Sequence, residues 1–161
     1  MPRVFTAKSL TSDQAAQAFP LIQNIAPNLT LERWNEFVQR LTDPTGPVQT
    51  RRAGIVTLES ERGYIHGLFC YTVEVDLQHG HVLSVENFIA LDLIEREAAV
   101  QALFDAMEET AYDLGCHAIH VHLPEGLAAV PENRQWLLRI LEGAGHAVET
   151  LRLCKHLRPM H

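Results

Sequence analysis

The stretch His81–Cys116, HVLSVENFIALDLIEREAAVQALFDAMEETAYDLGC, decides the reading of this chain. Its opening residues alternate apolar and polar positions, as a half-buried strand does. Val100, Leu103, Phe104, Met107, Ala111 and Leu114 then recur with the period of a helix, and Gly115 is a natural stop. The short segment HAIHVHLP follows with alternation again, so the order is strand, long helix from about Leu93 to Leu114, strand.

Working outward, residues 53 to 91 read as an antiparallel meander. GIVTLES is one strand, ERG a turn, YIHGLFCYTVEV a second strand, LQHGH a turn, and VLSVENFIAL the return. Ile65, Phe69, Tyr71, Val73 and Val75 share one parity in the second strand, and the third is expected over Val82–Leu91. On that third strand Ser84, Glu86 and Phe88 fall on one face, with Val85, Asn87 and Ile89 on the other. Upstream lie a short strand at Arg3–Ala7 and two helices. The first follows Thr11-x-x-Gln14, a capping-box pattern, and carries Ala15, Ala18, Phe19 and Ile22, with Pro20 set to kink or shorten it. The second starts near Thr30 and carries Trp34, Phe37, Val38 and Leu41. Downstream, Pro131 opens a helix over NRQWLLRILE, and HAVETLRLCKHL is expected as a last strand. The sequence thus predicts an α/β (α+β) domain over residues 1–161, with a central, mostly antiparallel sheet flanked by about four helices.

Composition limits the function classes. With 161 residues and 47% apolar content the chain can bury a core of its own. No run approaches the ~20 apolar residues of a membrane span, and MPRVFTAKSLTSDQ lacks a signal-peptide core, so a cytoplasmic protein is expected. A formal charge of −7 with scattered Lys and Arg argues against a nucleic-acid surface and suits a cationic partner such as an amine. Cys70, Cys116 and Cys154 make no CxxC pair and read as small buried residues.

The strand–helix–strand core and the order β-α-α-β-β-β-α-β-α-β resemble the GCN5-related N-acetyltransferase (GNAT) superfamily. The resemblance implies an enzyme that moves an acetyl group from acetyl-CoA to a primary amine, a small-molecule or peptide acceptor, with a homodimer as one possible assembly. In that family a [QR]-x-x-G-x-[GA] turn at the start of the long helix holds the cofactor pyrophosphate on free amides. The matching segment here is Glu95-Arg96-Glu97-Ala98-Ala99-Val100, in which both glycines are replaced and Arg96 is the one cation. Asp92-x-x-Glu95 also reads as a variant capping box. By the same resemblance Phe88 and Ala90 offer backbone groups to the pantetheine arm, and Glu86 is the general base. Leu141 stands where many members carry a tyrosine, ahead of Gly145-His146.

Other residues leave the function open. Glu86 could equally pair with a neighbouring strand. Asn87 reads as a hydrogen-bonding partner for bulged backbone. His117, His120 and His122 form HxxHxH, and His120 and His122 point the same way on a strand. They and Tyr71 are candidates for a substrate cleft, and Tyr64 and Trp136 could line it as well. No residue is assigned as a metal ligand, because no acidic or cysteine ligand follows at matching spacing. Two rival functions remain: a GNAT-fold ligand-binding or interaction module without catalysis, and a histidine-based metal-dependent enzyme.

Overall fold

The long helix forms where its period places it. The computed structural model describes residues 4–43, 52–91, 96–123, 131–150 and 152–159. In it α3, Arg96–Asp113, buries Ala99, Val100, Leu103, Phe104, Ala106, Met107 and Ala111. These side chains pack on one face of a five-stranded sheet in the order β1-β2-β3-β4-β5. The strands are β1 (Phe5–Ser9), β2 (Ala53–Ser60), β3 (Ile65–Asp76), β4 (Gly80–Ala90) and β5 (Ala118–Val121). β1 to β4 pair antiparallel in sequence order, and β5 joins β4 in parallel. A mixed sheet was expected, and a mixed sheet is found. Asp92 and Glu95, the capping pair read from the sequence, lie outside the described residues.

Helices α1 (Ala15–Ile22) and α2 (Leu31–Thr42) cover the opposite face, packing Ala18, Ile22, Trp34 and Val38 on Ile55, Leu68 and Ile89. The buried indole of Trp34 donates Nε1–H to the Ala15 carbonyl at 2.7 Å and so ties α2 to the first turn of α1. Thr30 caps α2 by accepting the Arg33 N–H at 3.2 Å. Thr11 makes no such cap. Residues Ser12–Gln14 form a 3-10 turn instead, and α1, with Pro20 inside it, runs only eight residues. The fourth helix, α4 (Pro131–Gly143), returns to the α3 face and buries Leu137 and Leu141 there.

Two bulges change which residues share a face. In β3, Ile65 pairs with Glu59 and Gly67 with Leu58, so His66 is an extra residue. Ile65 is therefore turned toward α1 and α2, while Phe69, Tyr71 and Val73 stay on the α3 side. In β4 the shift falls at Asn87, whose φ is 55°, in the left-handed region. Glu86 lies opposite Cys70, but Phe88 crosses to the α3 face and stacks on Phe104 with centroids 5.6 Å apart. The expected sharing of a face by Glu86 and Phe88 is corrected on this ground. Asn87 is itself the bulged residue.

The parting of β4 from β5 follows from the same strand. β5 pairs with β4 only through Val85, and the last bond between them is His122 N–H to the Val85 carbonyl, 2.9 Å. From Glu86 to Ala90, β4 runs on without β5, so the sheet opens there.

The expected last strand is also corrected. Residues 146–150 and 152–159 are neither strand nor helix, and Val148, Leu153 and Leu157 are 77%, 85% and 82% exposed. Alternation supplies a side-chain pattern, but a strand needs a neighbour to take its backbone bonds, and this segment pairs with none of the described strands.

Two substitutions test these devices. A β-carbon at Gly67 would stand 2.8 Å from Leu103 Cδ1 and 2.9 Å from the Ile89 carbonyl oxygen. Gly67→Ala is expected to lower stability by about 1–3 kcal/mol, read as a fall in urea midpoint at unchanged slope. Asn87→Val, a β-branched residue forced left-handed, is expected to cost about 1–2 kcal/mol and Asn87→Gly much less. Equal stability of the two Asn87 variants would show that the bulge does not depend on that conformation.

Candidate active site

Strand parity and the end of the β4–β5 ladder bring the chemistry-bearing side chains to one place. His120 lies opposite Ser84 in the parallel register, and Glu86 and His122 follow two residues on. Ser84, Glu86 and His120 therefore face the same way, on the side of the sheet away from α3, while His122 lies one residue beyond the end of β5.

A cleft of about 610 Å³ runs along the outer edge of β5. β5 with His120 and His122 forms one wall, and the segment Ala144–Thr150 with Arg152 forms the other; Leu141 of α4 and Glu108 of α3 contribute from below. Glu108, Glu142 and Glu149 face it against one arginine, a balance that suits a cationic occupant. His146 lines it too, with its ring 6.1 Å from Phe104; burial lowers its pKa, and the nearby Glu108 charge opposes that shift. The side chain of Leu141 is buried in the α3-side core, so this position supplies no proton donor. Sequence reasoning passed over His146, Glu149 and Arg152. Their signal is tertiary, because their segment has no secondary structure to place it beforehand.

Glu86 is not among the described residues that line the cleft; it is about half exposed and meets the cleft only through Arg152, whose Nη1 is 3.4 Å from its carboxylate. This is an exposed ion pair, which restrains the side chain without committing it. Behind it lies Cys70, whose thiol burial pushes up to about 12, with a hydrogen bond from Asn87 opposing and the Glu86 charge adding. Cys70 is a buried neutral residue, as expected, whereas Cys154 is exposed.

Tyr71 stands elsewhere. Opposite Val85 on the α3 face, it lies over Gly54, where a β-carbon would come 2.7 Å from its hydroxyl. It does not line the cleft; desolvation raises its pKa. Tyr64 is exposed in the turn before β3, and Trp136 faces a different recess.

That second recess, about 480 Å³, lies between α3 and α4 and is lined by Glu97, Gln101, Trp136 and Arg139 among others. At its α3 end Arg96 lies over the Trp136 ring, 4.1 Å from the centroid. Of the segment matched to the pyrophosphate turn, Glu95 is outside the described residues. Glu97 and Ala98 are exposed at the helix start, while Ala99 and Val100 are buried in the core. Val100 thus points its methyl groups inward and adds no bulk at the mouth. Ala98 adds one methyl.

The β4 backbone beyond Glu86 faces the gap between β4 and β5. Leu91 N–H donates to the His66 carbonyl on the β3 side at 2.7 Å. Alternation then aims the backbone groups of Phe88 and Ala90 to the opposite side, which β5 has left. A thioester cofactor with an amide-bearing arm fits this arrangement: an open strand edge for the arm, and Arg96 with Arg139 near the helix start for its phosphates.

No protein-family model matches the chain, and no curated protein matches it in sequence. Solved structures do match over nearly its whole length. An aminoglycoside N-acetyltransferase, AAC(6')-Iy, in complex with CoA superposes with a TM-score of 0.74 at 12% identity, covering 98% of this chain and 97% of that one. A ribosomal-protein-alanine N-acetyltransferase from Brucella melitensis gives 0.70 at 16% identity, with 96% and 99% covered. Glucosamine-6-phosphate N-acetyltransferase from Arabidopsis thaliana gives 0.67 at 13%, with 96% and 99% covered. Strand order, the parted β4 and β5, and these superpositions agree: the chain has the fold of the GNAT superfamily of acetyltransferases.

Proposed function

We propose that the chain is an N-acetyltransferase that uses acetyl-CoA as cosubstrate and acts on a primary amine. The observation that carries this reading is the open edge of β4 from Glu86 to Ala90, lying just ahead of α3 in the chain. Acetyl-CoA would supply the thioester carbonyl, on which the amine nitrogen forms the new amide as the carbon–sulfur bond breaks. The chain's own part is binding, orientation and proton handling. Phe88 and Ala90 would hold the pantetheine amides through the backbone, as an added strand is held. Arg96, with the amides from Glu97 onward, would meet the phosphates, and Glu97 would weaken that contact by its like charge.

An ammonium has no lone pair and must lose a proton before it can attack. Glu86 would take that proton, directly or through a water, from the face it shares with His120. Its ion pair with Arg152 must loosen for this, a small cost for an exposed pair. The cleft glutamates would draw the cationic acceptor in.

One observation favours a second reading, a GNAT-fold binding module without catalysis. Both glycines of the pyrophosphate turn are replaced, and Arg96 is engaged with Trp136. Calorimetry with millimolar acetyl-CoA separates the two. Measurable binding, weakened by about 1 kcal/mol or more in Arg96→Glu, is the expected result. Absence of both heat and thermal shift would favour the module, and full affinity in Arg96→Glu would place the phosphates elsewhere.

Given an amine acceptor, Glu86→Gln is expected to lower the rate about ten- to a thousandfold at neutral pH. The deficit should shrink as pH rises, since more of the amine then arrives already deprotonated. Undiminished turnover in Glu86→Gln would remove Glu86 from the chemistry and turn attention to His120 and His122.

A further inference from the structure

Asp76, His79 and His120 meet where β3 turns into β4, at the far end of β4 from the opening of the sheet. The Asp76 carboxylate, at the end of β3, accepts the N–H groups of Gln78 at 3.0 Å and His79 at 2.9 Å. This fixes the turn and carries the His79 ring back toward β5. There the rings of His79 and His120 meet edge to face, 5.5 Å apart at 83°. One donor atom from each of the three residues lies within 4.8 Å of the other two.

Three observations point to a ligand. Among the described residues Nε2 of His120 is buried without a hydrogen-bond partner, a state that costs about 1–3 kcal/mol unless something completes it. Glu149 holds Nε2 of His79 at 3.0 Å, and such an outer carboxylate is what orients a metal-bound imidazole when the other ring nitrogen takes the ion. Two imidazoles and one carboxylate are also the donor set that a borderline dication accepts in three-ligand sites with an open position. Donors on a tetrahedral zinc, at about 2.0–2.1 Å from the metal, stand roughly 3.3 Å apart, so modest rotation of the rings closes the set. His122 is not part of it.

We propose that Asp76, His79 and His120 bind one divalent transition ion of the zinc class, with its open coordination position toward the cleft that His79 and His120 line. The site opens into the same cleft but uses no part of the β4 edge from Glu86 to Ala90, on which the proposed acetyl transfer rests.

The test is calorimetric titration of the full, chelator-stripped chain with zinc chloride, beside thermal unfolding with and without zinc. One ion per chain at micromolar affinity or tighter is expected, with a rise in Tm that grows with zinc concentration. Asp76→Asn and His120→Ala should each weaken binding at least tenfold, while His156→Ala, on the exposed terminal segment, should not. His79→Gln, in the exposed turn, carries the same test if His120→Ala does not fold. Absence of stoichiometric binding by the unaltered chain would overturn the site. So would affinity retained in the Asp76 and His79 variants, which would assign the zinc to the chain's other histidines.

Discussion

The bulge at Asn87 is the constraint on which the rest of the site depends. A regular β4 would keep Glu86 and Phe88 on one face. The left-handed residue between them instead leaves Glu86 on the face away from α3 and sends Phe88 into the core against Phe104. The same extra residue sets the phase of the backbone beyond it. Phe88 and Ala90 present their amide groups to the side that β5 has vacated, while Ile89 and Leu91 keep the pairing with β3. Asparagine is one of the few residues with a side chain that takes this conformation readily.

Rigid packing on both faces holds this irregularity in place. Leu103 of α3 descends onto Gly67, where no β-carbon stands in its way, and Ile89 is buried against the α1–α2 layer. Each buried aliphatic side chain of this kind contributes roughly 1.5–3 kcal/mol, enough to outweigh a strained backbone position. By contrast, the cleft wall formed by residues 144–150 and Arg152 meets the sheet through polar pairs, His79 with Glu149 and Arg152 with Glu86. Such pairs are weak and salt-sensitive, so the wall of the cleft is held more loosely than its floor.

The electrostatics of the two recesses differ in a way that matches their proposed occupants. The cleft along β5 gathers glutamates and histidines and suits a cation, whether an amine or a metal ion. The recess at the start of α3 gathers Arg96 and Arg139 around Trp136 and suits an anion, with Glu97 opposing. Net charge read from composition gives the average of these and cannot separate them.

The sequence by itself determined the element order as far as α4, the meander, and the long helix with its buried stripe. These follow from local periodicity and turn chemistry, which each segment carries within itself. Only the tertiary structure decided which face Phe88 and Ile65 occupy, because a single inserted residue reverses parity and depends on the partner strand's register. It alone removed the expected last strand, whose alternation finds no edge among the described strands, and moved Tyr71 away from the cleft. And it alone assembled Asp76, His79 and His120 from a turn and a distant strand, since proximity across a parallel ladder is set by register and leaves no trace in spacing along the chain.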